Sequence, residues 1–215
     1  MKINLWIYSD KTEQLKTSVS LIAFGAEIFK RAKVIKDIDQ LKKIRQDINK
    51  NTIHPKDTDI TEYIFDFLVD CIRFLIFFEN YMKAELILKD YCVHVIDKNR
   101  HGFATLAKEQ RERPIKLKEI NDIEKFTVDR KNKVINHDAI KDKTIGMTEL
   151  LGTEKYRIEY GLDLKIIELI KEFNKFRNKL HFNDTLEFQI DDTFFSKLDM
   201  LNQFVDKVMK DKFEK

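Results

Sequence analysis

The 215 residues carry 40 Lys and Arg against 37 Asp and Glu, a formal net charge of +3, so any attraction to nucleic acid must come from local patches and not from a global field. A hydrophobic fraction of 43% with 17 Phe supplies a sizeable core, and 36% charged residues supply a polar surface. Together these exclude a disordered chain and a membrane protein, and predict a soluble protein of one body, with N-terminal helices over 1–57 and a core over 58–215.

The opening MKINLWIYSDK has an apolar run cut short by Asp10 and Lys11, too brief for a secretory signal, so the expected location is the cytoplasm. Five Gly and two Pro force few breaks, which predicts an all-α fold of long helices. The first helix is expected over 11–33, with Leu15, Val19, Ile22, Ala26 and Phe29 as its inward stripe. Asp37 opens a second helix through about Ile48, its stripe being Ile38, Leu41, Ile44 and Ile48. Residues 49–59 are polar, contain Pro55 and read as a loop, with Thr58 or Asp59 as the N-cap of a third helix. The stripe of that helix is Ile64, Leu68, Cys71, Leu75, Phe78, Met82 and Leu86, and it marks the central helix. Its stretch CIRFLIFF at 71–78 is bounded by Asp70 and Glu79 and contains Arg73, well short of the roughly 18 apolar residues a membrane span needs.

Residues 90–122 read as shorter helices broken near Gly102 and Pro114, with Phe103, Leu106 and Ala107 facing inward. FTVDRKNKVI at 126–135 has two β-prone pieces around a polar tract, a small β-hairpin inserted in the helical body. Thr148 to Leu162 reads as a short helix and connector. Asp163 caps a helix to about Leu180, with Ile166, Ile170, Phe173 and Leu180 in register. After a polar loop at 183–185 and the brief LEFQI piece, a last helix spans about 192–212, turning Phe195, Leu198, Leu201, Val205 and Val208 inward. No internal repeat and no low-complexity tract interrupts this order.

The chemistry concentrates in FRNKLHF at 176–182. Residues four apart share a helical face, so Arg177 and His181 present a guanidinium and an imidazole together. An imidazole, with an unperturbed pKa of about 6.5, exchanges protons near neutrality, while a guanidinium offers a fixed fork of donors to phosphate oxygens. The pair suits a phosphodiester, and Asn178 adds an amide to hold the geometry or bind a phosphate. Arg177 also continues the apolar row of Ile170 and Phe173, where a lone charge is costly, so a carboxylate, a partner subunit or an anionic ligand must meet it.

A long helix ending in Arg-Asn, a spacer and His resembles the signature of the HEPN superfamily, with three residues between Arg177 and His181 where the family usually has four to six. Upstream, FFENYMKAELILKDYCVH at 77–94 is similar to the family's acidic-then-lysine helix, Glu79 and Lys83 standing at the matching positions. The resemblance implies a helical bundle, frequent homodimers, and metal-independent RNA cleavage in bacterial defence or toxin–antitoxin systems, where an antitoxin or other defence protein is the partner. In that implied mechanism the 2′-hydroxyl attacks its adjacent phosphate, His181 handles a proton, Arg177 stabilises the transition state and Asn178 orients the substrate. Some members carry a Tyr two residues after the His that a partner modifies; here Asn183 stands there.

The alternatives are structural: Arg177 pairing with Glu79 inside the bundle, His181 stabilised by the helix C-terminus, and Glu79 with Lys83 as a solvated i, i+4 bridge. At the level of function, the alternative is an inactive helical module that binds a partner protein or RNA. Lys98 to Lys118 holds seven basic and two acidic residues, so Arg100, Lys108, Arg111 and Arg113 are the candidate RNA contacts, with a solvated face as the other reading. Cys71 and Cys92 read as buried thiols, and His54, His94, His101 and His137 form no metal-ligand pattern. No phosphate loop, nucleophile motif or HExxH is present, so neither metal nor cofactor is expected.

Overall fold

The computed structural model of the chain describes residues 10–50, 58–97, 99, 104–116, 118–119, 127–129, 131, 134–136, 140–152, 154–180 and 191–213. Among them the order is α1 (Lys11–Lys30), α2 (Ile38–Asn49), α3 (Thr58–Leu88), β1 (His94–Ile96), α4 (Lys108–Arg111), β2 (Thr127–Asp129), β3 (Val134–Asn136), β4 (Ile140–Thr144), α5 (Met147–Gly152), α6 (Glu154–Tyr160), α7 (Leu164–Leu180) and α8 (Asp192–Phe213). The protein is mostly helical with small antiparallel β pieces, as composition predicts. No helix among the described residues is long and apolar enough to cross a membrane. The chain divides into two compact units, Met1–Ile22 with Glu79–Gly161, and Ala23–Phe78 with Leu162–Lys215, the divisions falling inside α1 and α3.

The second unit is built on aromatic side chains. Phe74 meets Phe29 edge-on at 5.2 Å and Phe173 at 5.8 Å, Phe194 meets Phe173 and Phe67, and Phe78 stacks on Phe204. Edge-to-face pairs at such distances add about 0.5–1.5 kcal/mol each beyond the area they bury. The inward stripe of α8 is the expected one, Phe195, Leu198, Leu201, Val205 and Val208 all being buried. Two caps fall where the sequence puts them: Asp37 Oδ1 accepts from the Gln40 N–H at 3.0 Å, and Asp163 Oδ1 accepts from the Lys165 N–H at 2.8 Å; Thr58 and Asp59, expected to cap α3, are its first helical residues.

Asp70 ties this unit together. Its carboxylate is only 1% exposed; Oδ2 accepts from the backbone N–H groups of Lys33, Val34 and Ile35 at 2.8, 2.7 and 3.2 Å. Oδ1 accepts from the Arg73 guanidinium at 2.6 Å, and Arg73 also donates to the Arg31 carbonyl. A residue that in the sequence only interrupts an apolar run therefore supplies the hydrogen bonds that the α1–α2 connector lacks.

In the first unit β2 and β3 pair antiparallel with Val128 opposite Ile135, the hairpin predicted over 126–135. A second antiparallel pair joins β1 to β4, with His94 opposite Thr144 and Ile96 opposite Ile140. Residues 94–96 are therefore a strand and not part of the short helices expected over 90–122, of which α4 is one. Three residues are too few to show a period of two, and their partner strand is remote in sequence. Of the groups expected to face inward there, Ala107 is exposed and Leu106 half-buried, and Phe103 lies outside the described residues; Tyr91, Cys92, Val93 and Ile115 are buried. Met147–Gly152 and Glu154–Tyr160 make two helices where the sequence suggests one and a connector.

The stripe of α1 is also corrected. Ile22, Ala26 and Phe29 are buried, but Leu15 is 55% exposed and Val19 lies outside the core too, while Gln14 and Ser18 are buried in their place. Gln14 Nε2 donates to Asp90 Oδ1 at 2.9 Å and Ser18 Oγ donates to the Ala84 carbonyl at 3.2 Å. Asp90 sits in the left-handed region at φ 67°, with the Tyr91 N–H returning to the Leu86 carbonyl and its own N–H to Ile87. That is a Schellman ending of α3 made by an Asp, whose carboxylate is held by Lys11 and Gln14. Ile64 on α3 is likewise exposed, whereas Cys71, Leu75, Phe78, Met82 and Leu86 of the same predicted stripe are buried.

Candidate active site

Arg177 and Asn178 lie in the last turn of α7, which is helical through Leu180. The row Ile166, Ile170 and Phe173 is fully buried, and Phe173 is fixed between Phe74 and Phe194. Arg177 continues that row one turn on and is half-buried, so its guanidinium springs from an anchored helix and not from a loop. The backbone of Asn178 is helical; its side chain and the whole of His181 lie outside the described residues, as do the 183–185 loop and LEFQI.

Glu79 and Lys83 form the expected i, i+4 pair at 2.6 Å. It is not the solvated bridge that the sequence suggests: Lys83 is only 7% exposed and its Nζ also donates to the Thr144 hydroxyl at 2.9 Å. The spacing foretells the Glu79 partner, but not Thr144 of β4, which accepts from Lys83 from 61 residues further along the chain. The Glu79 carboxylate is thus engaged by Lys83 within its own helix.

The candidate RNA contacts separate. Lys108 is exposed, beside Glu112 at 3.7 Å. Arg113 forks onto both carboxylate oxygens of Glu119, a contact that holds the Glu119 carboxyl below its usual range and raises Arg113. Arg111 lies in α4 with its side chain undescribed, and Arg100 lies outside the described residues. Arg113 lines a small cavity of about 190 Å³ with Tyr91, Pro114, Lys155, Ile158 and Glu159; Lys116 covers the Tyr91 ring at 5.1 Å, and burial together with Glu159 pushes that phenol up to about 12. A wider groove of about 610 Å³ lies between the starts of α2 and α8, among Lys36, Asp37, Lys42, Asp192 and Asp199. Arg177 lines neither cavity.

Cys71 and Cys92 are buried thiols, and burial together with the Asp70 charge pushes the Cys71 thiol well up, which makes it a poor nucleophile. Among the described residues no group of three or more His, Cys, Asp or Glu is placed to hold a metal ion. No family model, curated protein or solved structure matches the chain.

Proposed function

We propose that the protein is a HEPN-like endoribonuclease that cleaves RNA without a metal, as a homodimer in the bacterial cytoplasm, within a defence or toxin–antitoxin system. The observation that carries this reading is the placement of Arg177 and Asn178 in the final turn of a helix anchored by Phe173, three residues before His181 for Asn178 and four for Arg177 in the sequence. Arg177 neutralises charge that builds on the phosphate as the ribose 2′-oxygen bonds to phosphorus and the P–O5′ bond breaks, leaving a 2′,3′-cyclic phosphate and a 5′-hydroxyl, and His181 carries the proton from the 2′-hydroxyl to the departing 5′-oxygen. Asn178 orients the substrate. The Glu79–Lys83–Thr144 cluster supports the fold of its unit, and the exposed Lys108, beside Glu112, is a candidate contact for a phosphate backbone.

Cellular RNA incubated with purified protein in the presence of a chelator tests the reading. Wild type is expected to cleave, and His181→Ala to lose cleavage while its far-UV helical signal is unchanged. Cleavage retained by His181→Ala removes the mechanism. The three-residue spacing between Arg177 and His181 favours a second reading, an inactive helical module that binds RNA or a partner protein; binding without turnover by either form selects it.

A further inference from the structure

Five polar or charged side chains are buried among the described residues: Gln14, Ser18, Asp70, Lys83 and Asn174. Four have their partners. Gln14 donates to Asp90, Ser18 to the Ala84 carbonyl, Lys83 to Glu79 and Thr144, and Asp70 accepts from three backbone N–H groups and Arg73. Asn174 is the exception: it is 9% exposed, and its side-chain carbonyl oxygen has no hydrogen-bond partner among the described residues. The other unpartnered buried atoms, on Tyr63, Arg157 and Asn202, belong to side chains that are themselves only half-buried.

A buried amide oxygen without a donor costs stability, and an apolar residue of the same size in its place removes that cost. Fold alone gives no reason for Asn at 174. Its position does: Asn174 stands three residues before Arg177 on α7, the separation at which helical side chains are neighbours with Cβ atoms about 5–6 Å apart. The oxygen is an acceptor and the guanidinium has five donors and no acceptor, so the two are complementary.

We infer that Asn174 is the positioning residue for Arg177: its carbonyl oxygen accepts from the guanidinium when Arg177 turns to the phosphate, fixing the fork during cleavage. Half-burial leaves Arg177 free to reach outward, and the amide one turn back limits which rotamers it keeps. This rests on the ribonuclease reading and adds to it a residue outside the FRNKLHF motif.

The test compares wild type with Asn174→Leu, Asn174→Asp and Asn174→Ala for RNA cleavage and thermal unfolding. Asn174→Leu is expected to melt at the same or a higher temperature, with kcat lower by about tenfold or more and KM unchanged, because the group lost orients charge in the transition state. Asn174→Asp keeps an acceptor oxygen and is expected to restore most of kcat. A folded Asn174→Leu that cleaves like wild type overturns the assignment and leaves the ribonuclease reading standing. If Asn174→Leu does not fold, Asn174→Ala decides: lowered kcat supports the assignment and unchanged kcat overturns it. A wild type that cleaves nothing overturns the ribonuclease reading and this assignment with it.

Discussion

Asp70 is the residue on which most depends for its size. Four hydrogen bonds converge on a carboxylate that water does not reach, three of them from the connector after α1. Asp70→Ala leaves those N–H groups and the Arg73 charge without their acceptor, and is expected to cost about 3–5 kcal/mol in urea unfolding. Acid exposes two other carboxylates. Lys11 holds Asp90, and Arg113 holds Glu119, below their ordinary values, so each contributes stability that is complete above about pH 4–5 and lost as pH falls through the lowered folded-state value. Melting temperature measured against pH is expected to drop below about pH 4, and the double variant Asp90→Asn, Glu119→Gln to show a flatter curve. At this scale the sequence reveals partners close along the chain, such as Glu79 with Lys83, and Asp37 as a cap. It hides Asp70 and Asn174, because what matters there is burial next to groups brought in by other elements.

α1 shows where periodicity misleads. Leu15 and Val19 fit the apolar register with Ile22, yet the buried row of that half-helix is Gln14, Ser18 and Ile22, satisfied by Asp90 and the Ala84 carbonyl. Two registers on one helix differ by a rotation of one residue, and hydrogen bonding to α3 chooses the polar one. Leu15→Lys is expected to change stability by no more than about 0.5 kcal/mol, whereas Ile22→Ala costs about 2–5 kcal/mol, both read by denaturant unfolding. α8 is the contrasting case: its entire predicted stripe is buried, since an unbroken heptad-like row leaves no competing register. The β2–β3 hairpin was legible from β-prone residues around a polar turn; β1 with β4 was not, because the pairing is non-local and β1 is only three residues long.

At the scale of the whole molecule the core of the second unit is a set of Phe contacts, with Phe74 touching Phe29, Phe78 and Phe173. Phe74→Ala opens a cavity at that junction and is expected to cost about 3–5 kcal/mol, a large share of the roughly 5–15 kcal/mol that holds a typical domain folded. Circular dichroism at 222 nm through a urea titration measures it. Sequence by itself determined the class of fold, the positions of the long helices and most of their caps, because helix periodicity, scarce Gly and Pro, and side chains that bond their own backbone are local properties. It also isolated Arg177, Asn178 and His181 as the one group whose chemistry stands out. Tertiary structure decided which face of α1 is buried, that Lys83 is enclosed, that Arg113 is held by Glu119, that Asp70 is a hub and that the Asn174 amide oxygen is buried without a donor among the described residues. Apart from the near-neighbour pair Arg113–Glu119, each of those depends on the solvent exposure of a polar group, which is fixed only when residues distant in sequence close over it.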